Sequence, residues 1–204
     1  KKIFFLTNRH TQHHIAIETL KKIRKKTEQN IFAADLIGKR WMCNQEIAGV
    51  FGHDFNEYCR AVVERGECEY YAQIRTKKDL TVEGKRLIGT LESTEPLHNE
   101  ELIKIGKEQR MCSYEVALAL AKKATVLIGD YNYLFNPYVT NSLLTKLELA
   151  FEDIILIIDE AHNLPARILE MMSNTLTSLM INNSLIEAKK FNYQGLIIWL
   201  QKLN

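Results

Sequence analysis

Two groups of residues in this sequence are of kinds that do chemistry. Asp159 and Glu160, with His162 close behind, follow five consecutive aliphatic residues, Ile154-Ile155-Leu156-Ile157-Ile158. Paired carboxylates delivered by a rigid strand suit nucleotide hydrolysis. Asp159 would hold Mg2+, directly or through water, and Glu160 would orient or deprotonate the attacking water. His162 would face the seam along which hydrolysis is coupled to movement. A strand that simply ends in an acidic turn is the plainer reading of an Asp-Glu pair. The second group is Cys43, Cys59, Cys68 and Cys112, with 15, 8 and 43 residues between successive members. Structural zinc sites usually contain Cys-x2-4-Cys knuckles, which are absent, and the compact ferredoxin runs are absent too. Placement is what unites the four. All lie within or beside the one segment that breaks the α/β rhythm, where thiolate ligation of a metal cluster would replace a hydrophobic core. Separate buried thiols are the alternative.

The elements that must position these residues are legible from pattern. The aliphatic run is too short for a core helix, and its β-branched content predicts a central strand of a parallel sheet, buried on both faces. Its carboxyl end is where open α/β sheets bind ligands. Ile3-Phe4-Phe5-Leu6 predicts a second buried strand, and Thr11 a cap for a helix over residues 11–26, with Ala16, Leu20 and Ile23 on one face. In the polar loop between them Thr7, Arg9 and a helix N-terminus converge as candidates for phosphate contact. A short strand is expected over 30–34. From about 38 to 109 cysteine, aromatics and charges replace the regular rhythm, and 76–100 is polar and poor in large apolar residues, so this reads as a loop-rich insertion with its own crosslink. Regular pattern resumes with a helix over 114–123, a strand over 124–129, a loop over 130–137 and a helix over 141–149. Beyond Pro165 the chain reads as helical, with apolar residues on more than one face.

The chain has 204 residues, 46% hydrophobic and 25% charged, with a formal net charge of +2. That is an ordinary globular composition, and DNA binding, if any, must come from local patches rather than total charge. No apolar run approaches the ~18 residues a membrane span needs, and the apolar start is too short for a signal peptide. The expectation is an intracellular protein without a membrane partner, in which four cysteines are not a disulfide set.

The residues resemble the XPD family of superfamily 2 DNA helicases, which includes the DinG and FANCJ-type enzymes, and most closely its archaeal type. The resemblance is carried by Ile154 to Asn163, similar to the family's DEAH box; by four cysteines ahead of it; by Cys112-Ser113-Tyr114 opening a helix; by Tyr131 to Pro137; and by Leu6 to Gln12, similar to motif Ia. It implies an α/β fold: a RecA-like parallel sheet of the P-loop NTPase type, an inserted iron-sulfur cluster domain and the start of a helical arch. The implied division is 1–38 with 113–165 for the motor domain, 39–112 for the cluster domain and 166–204 for the arch. The implied function is 5′→3′ ATP-dependent unwinding in DNA repair, with a [4Fe–4S] cluster on the four cysteines and Mg2+ and ATP in the parent protein. Single-stranded DNA and repair-complex proteins are the implied partners, and the implied location is cytoplasmic, beside the nucleoid, if the protein is archaeal. Lys39 and Arg40 stand where the family keeps basic residues before the first cysteine and would support the cluster or meet DNA phosphate; Tyr114 would stack beside single-stranded DNA.

The departures from the family are specific. No Gly-x-x-x-x-Gly-Lys-Thr loop occurs in the 204 residues, nor a second motor domain, so an interior fragment is expected, inactive in isolation. Ser113 replaces the family's Pro after the fourth cysteine, and Leu118 stands where an Arg is usual. Two other readings stay open: a noncatalytic scaffold on the same fold, and a nucleic-acid-binding module stapled by zinc.

Overall fold

The computed structural model describes residues 1–45, 52–77 and 79–203. The chain divides into two compact units, Lys1–Arg167 and Ile168–Asn204. The first is built on four parallel strands: β1 (Lys2–Thr7), β2 (Ala33–Leu36), β3 (Val126–Asp130) and β4 (Ile154–Ile158), ordered β2-β3-β1-β4. Because all four run the same way, the residues after Thr7, Leu36, Asp130 and Ile158 collect along one carboxyl edge.

Helix α1 (His10–Thr27) covers one face of the sheet. Its Ala16 and Ile17 pack with Ala33, Val126 and Ile128, and with partly buried Ile3 and Phe5. The helix starts at His10, earlier than a Thr11 cap would have it, and Arg9 is the N-cap, whose backbone N–H donates to Gln12 Oε1 at 3.2 Å. Phe4, Leu6, Ala34, Leu36 and Leu127 have the opposite parity and are buried beneath the other side, where α6 (Ser113–Lys123) packs against β2. Lys2 locks that helix in place: its buried ammonium donates to the carbonyls of Ala121 and Ala124, both at 2.5 Å, among the free acceptors of a helix end.

The expected strand over 30–34 lies slightly later, as β2. The expected helices and strands from 114 onward are present, with β3 ending at Asp130, a short α7 (Asn132–Phe135) inside the expected loop, and α8 (Pro137–Leu147) starting earlier because Asn136 caps it and Pro137 opens it.

Two expectations are corrected. The aliphatic strand β4 is not central among the described strands: it ends the sheet, and Ile155, Leu156 and Ile157 are 48%, 42% and 44% exposed. Its composition encodes burial that the described residues do not supply. The polar stretch 76–100 is not a loop either. It contains all of α4 (Val82–Glu92) and leads into α5 (Asn99–Glu108), after α2 (Gly52–Glu64) and α3 (Glu69–Ile74). Few apolar residues suffice because those at the helix contacts, Ile74, Ile88, Leu91 and Leu102, are buried. Thr81 caps α4 through the Gly84 N–H, and Glu101 Oε2 accepts from the His98 N–H ahead of α5.

The division between units falls within α9 (Leu164–Met172). In the second unit α10 (Ser178–Lys190) and α11 (Gln194–Leu203) pack on each other, with Ile181, Leu185 and Ala188 buried and Ile186, Ile198 and Trp199 exposed. Residues 173–177 are not helical. Among the described residues no helix is long and apolar enough to cross a membrane.

Candidate functional site

The four cysteines, spread over the insertion and its far border, line one concavity of about 450 Å3, mouth included, together with Lys39, Gln45, Tyr58 and Tyr71. Local structure brings them there. Cys43 ends the turn after β2; Cys59 lies in α2; Cys68 and Cys112 stand at the N-caps of α3 and α6. The Cys112 N–H donates to Tyr70 O at 2.8 Å, which pins the start of α6 to α3. None of the four is disulfide-bonded and all are half-buried.

Each sulfur also meets a donor. Backbone N–H groups of Gln45, of Tyr70 and Tyr71, and of Glu115 face Cys43, Cys68 and Cys112. Gln45 Nε2 lies 3.3 Å from Cys68 Sγ, and the Lys39 ammonium donates to Cys59. Burial nonetheless dominates the thiols, raising Cys43 and Cys68 and pushing Cys112 up to about 12. On Lys39 burial acts to lower the pKa, but Cys59, Glu115 and Cys112 outweigh it and the net shift is upward. Thiols this reluctant to ionise, yet supplied with donors for the thiolate, are a set that an electrophilic metal group would complete. Among the described residues no three His, Cys, Asp or Glu side chains stand at the spacing of one shared ion. The four cysteines nevertheless line one concavity, the arrangement that a thiolate-bound group spanning all four would need.

Around this pocket the segment from 39 to 112 is tied to the parallel sheet and its helices by polar joints. Arg75 Nε donates to buried Glu115 at 2.7 Å. Ser113, where the family has Pro, donates to Asn44 Oδ1 through its hydroxyl at 2.6 Å and its N–H at 3.3 Å; a Pro would lack the second bond. Asp35 on β2 is fully buried, and its carboxylate accepts from the N–H and Nδ2 of Asn99 at 2.9 and 2.7 Å and pairs with His13 Nδ1 at 2.5 Å.

At the sheet's carboxyl edge β4 delivers Asp159 and Glu160. The Asp159 N–H donates to Leu6 O at 2.8 Å, which continues the ladder to the acidic turn. Glu160 takes φ 51° and ψ 42°, a left-handed conformation uncommon outside glycine and asparagine. Tyr131, buried at the end of β3, braces this turn: its hydroxyl donates to the carbonyls of Asp159 at 2.5 Å and Glu160 at 3.0 Å. That bracing residue escapes a search for chemistry-bearing side chains, since Tyr131 stands out only as part of the Tyr131 to Pro137 run. His162 Nδ1 lies 3.1 Å from Glu160 Oε2, and both side chains are open to solvent.

The expected DNA contacts divide. Arg9 is exposed at the start of α1, and Lys39 and Arg40 are half-buried in the turn after β2. Thr7 is fully buried, and its hydroxyl donates to Arg9 O at 3.0 Å, so it shapes the turn and does not present itself. Tyr114 is only 8% exposed, with the Lys39 and Lys146 ammonium groups 5.6 and 5.7 Å from its ring centroid. It is not a bared stacking surface, because α6 is packed along the side that carries it.

Comparison with known proteins gives a consistent family. The DEAD_2 family model matches residues 5–181. A Regulator of telomere elongation helicase 1 homolog of Caenorhabditis briggsae is 26% identical over 191 residues, 92% of this chain and 18% of that protein. A Fanconi anemia group J protein homolog of Gallus gallus is 25% identical over 184 residues, 89% of this chain and 14% of that protein. The chain thus spans less than a fifth of the curated relatives it matches. Two solved structures share the fold: one described as XPD helicase, with TM-score 0.60, 22% identity, and 99% of this chain and 32% of that chain covered; and one described as truncated XPD, with TM-score 0.59, 23% identity, and 90% and 47% covered.

Proposed function

This chain belongs to the DEAD_2 family, the XPD-type superfamily 2 helicases, and on that premise we propose that it is the part of an ATP-dependent DNA helicase that joins a motor sheet to a cluster-bearing insertion. The parent protein would unwind DNA 5′→3′ in DNA repair, with its cluster domain and arch forming a single-stranded DNA pore. In the parent, Asp159 would hold the Mg2+ of the bound nucleotide and Glu160 would orient the attacking water. Tyr131 would keep both backbones fixed as charge develops. His162, paired with Glu160, would sense the state of that carboxylate at the seam with the second motor domain.

Cys43, Cys59, Cys68 and Cys112 would ligate a [4Fe–4S] cluster that crosslinks α2, α3 and α6. When bound, such a group supplies four iron–thiolate bonds where the insertion has little apolar core. Lys39 would offset the negative charge of the ligated sulfurs by donating to Cys59. Arg9, Lys39 and Arg40 would contribute phosphate contacts, so that DNA binding is weak and steeply salt-dependent.

The observation that carries the reading is the convergence of four sequence-distant thiols on one cavity beside the sheet. The test is anaerobic purification with a visible spectrum and iron and sulfide analysis. The expected result is a broad brown absorbance with equal iron and sulfide, bleached in Cys112→Ser, whose insertion then becomes open to protease. A colourless native protein that folds normally with zinc would replace the helicase cluster by the zinc-stapled reading.

A further inference from the structure

Within the proposed single-stranded DNA path, one requirement is unmet by the residues considered so far. A protein that holds single strands without reading sequence needs an aromatic face that bases can reach, and Tyr114 is buried. Two other aromatics are open to solvent: Trp41, in the turn after β2, is 63% exposed, and Tyr138, in the first turn of α8, is 89% exposed.

Trp41 is exposed but not loose. Its N–H donates to Gly38 O at 2.8 Å, and the Cys43 N–H donates to Arg40 O at 3.3 Å, closing a tight turn. The indole lies against Gly38, where a Cβ would stand 3.3 Å from Trp41 Cδ1. Buried Tyr133 anchors the chain just before the turn, its hydroxyl donating to Ile37 O at 2.8 Å. The two basic residues of the turn have separate tasks. Lys39 is directed inward to Cys59, whereas the Arg40 guanidinium sits over the indole, 5.5 Å from its centroid. A rigid indole with a cation on it, left open at a sheet edge, suits a ligand that combines a flat π-face with a phosphate.

We infer that Trp41, with Arg40 over it, is a base-stacking platform for single-stranded nucleic acid, with exposed Tyr138 in the first turn of α8 as a second aromatic for the same strand. The inference rests on the nucleic-acid reading above and deepens it: nucleotide bases, and not phosphate alone, are recognised at this turn.

The chain has two tryptophans, so Trp199→Phe leaves Trp41 as its one indole. In that background, binding is measured at one fixed ionic strength with an oligothymidylate and with an abasic strand of equal length, which carries the same phosphates and no bases. The oligothymidylate should quench Trp41 fluorescence and the abasic strand should not. Adding Trp41→Ala should weaken oligothymidylate binding, read by anisotropy of a labelled strand, about 5- to 150-fold and leave abasic binding unchanged. Tyr138→Ala should act in the same direction. Equal oligothymidylate affinity with and without Trp41, or equal quenching by both strands, would overturn the platform while leaving DNA binding itself in place. Absence of binding to either strand would overturn the nucleic-acid reading and this inference with it. Circular dichroism of each variant checks that the fold is retained, as expected for exposed side chains.

Discussion

Replacing Asp35 tests how the insertion is held to the sheet. Its carboxylate is fully buried and satisfies three groups at once: His13 Nδ1 on α1 and the N–H and Nδ2 of Asn99, the first residue of α5. Asp35→Leu keeps the approximate volume but leaves those donors facing an apolar side chain in a place water does not reach. Each unpaired buried donor costs roughly 1–3 kcal/mol, offset in part because the buried carboxylate's own desolvation is relieved, so the net loss should be about 3–5 kcal/mol. Asp35→Asn retains one acceptor oxygen and should lose less, about 1–2 kcal/mol. The double variant His13→Leu with Asp35→Leu removes both partners of one bond and should recover part of the loss, even though His13 Nε2 has no hydrogen-bond partner among the described residues. Urea unfolding followed by far-ultraviolet circular dichroism gives the midpoints, comparable if the slopes agree. An Asp35→Leu protein within about 0.5 kcal/mol of the parent would refute the claim that this carboxylate joins insertion to sheet.

Three further outcomes are expected. The isolated chain should not turn over ATP, because its 204 residues contain no Gly-x-x-x-x-Gly-Lys-Thr loop to cradle phosphates; DNA-stimulated ATPase activity in rigorously purified chain would show that this loop is not required for turnover. Gly106→Ala should lower the unfolding midpoint by an amount equivalent to about 1–3 kcal/mol, since a Cβ there would meet Ser113 Oγ at 2.1 Å and Met111 O at 2.9 Å, and an unchanged midpoint would show that α5 and α6 are not in such close approach. The Asp130 carboxylate, 3.6 Å from His10 Nε2, is the main cause that raises the pKa of His10 from an ordinary value of 6.5, with burial opposing it. The folded state therefore favours the protonated ring, so this pair stabilises the protein fully below about pH 6.5 and the benefit disappears as pH rises through the folded value. Asp130→Asn should shift the His10 titration downward by NMR and cost stability at about pH 5.5 more than at about pH 8; a pH-independent cost would show that the pair does not form.

How much of this was legible depended on what kind of information each element needs. The parallel sheet, α1, α6 and the acidic end of β4 follow from local periodicity and capping, which a sequence displays directly. The insertion was misjudged because sparse apolar residues were read as absence of structure. Ile74, Ile88, Leu91 and Leu102 are few, but all are buried, and the remaining order comes from caps at Thr81 and His98 and from long-range polar joints that no local pattern announces. The burial of Tyr114 and Thr7 makes a related point: a residue type says what a side chain can do, whereas packing, here of α6 and of the turn at Arg9, sets how far it is open to a ligand. The β4 run shows the converse. Its composition is that of an interior strand, whereas among the described residues it ends the sheet and stays half-open.

These placements bear on how a cluster at the four thiols would influence the motor. Cys43 lies six residues after Ile37, whose carbonyl receives the Tyr133 hydroxyl, and Gly129 on β3 is what admits that tyrosine, since a Cβ there would stand 2.8 Å from its ring. Two residues from Tyr133, on the other side of α7's start, Tyr131 holds the carbonyls of Asp159 and Glu160. One short segment, Tyr131 to Tyr133, therefore clamps the thiol-bearing turn with one phenol and the acidic turn with the other. A shift of the turn after β2 that moved Tyr133 would be felt at Tyr131 through a backbone held in helical conformation between them.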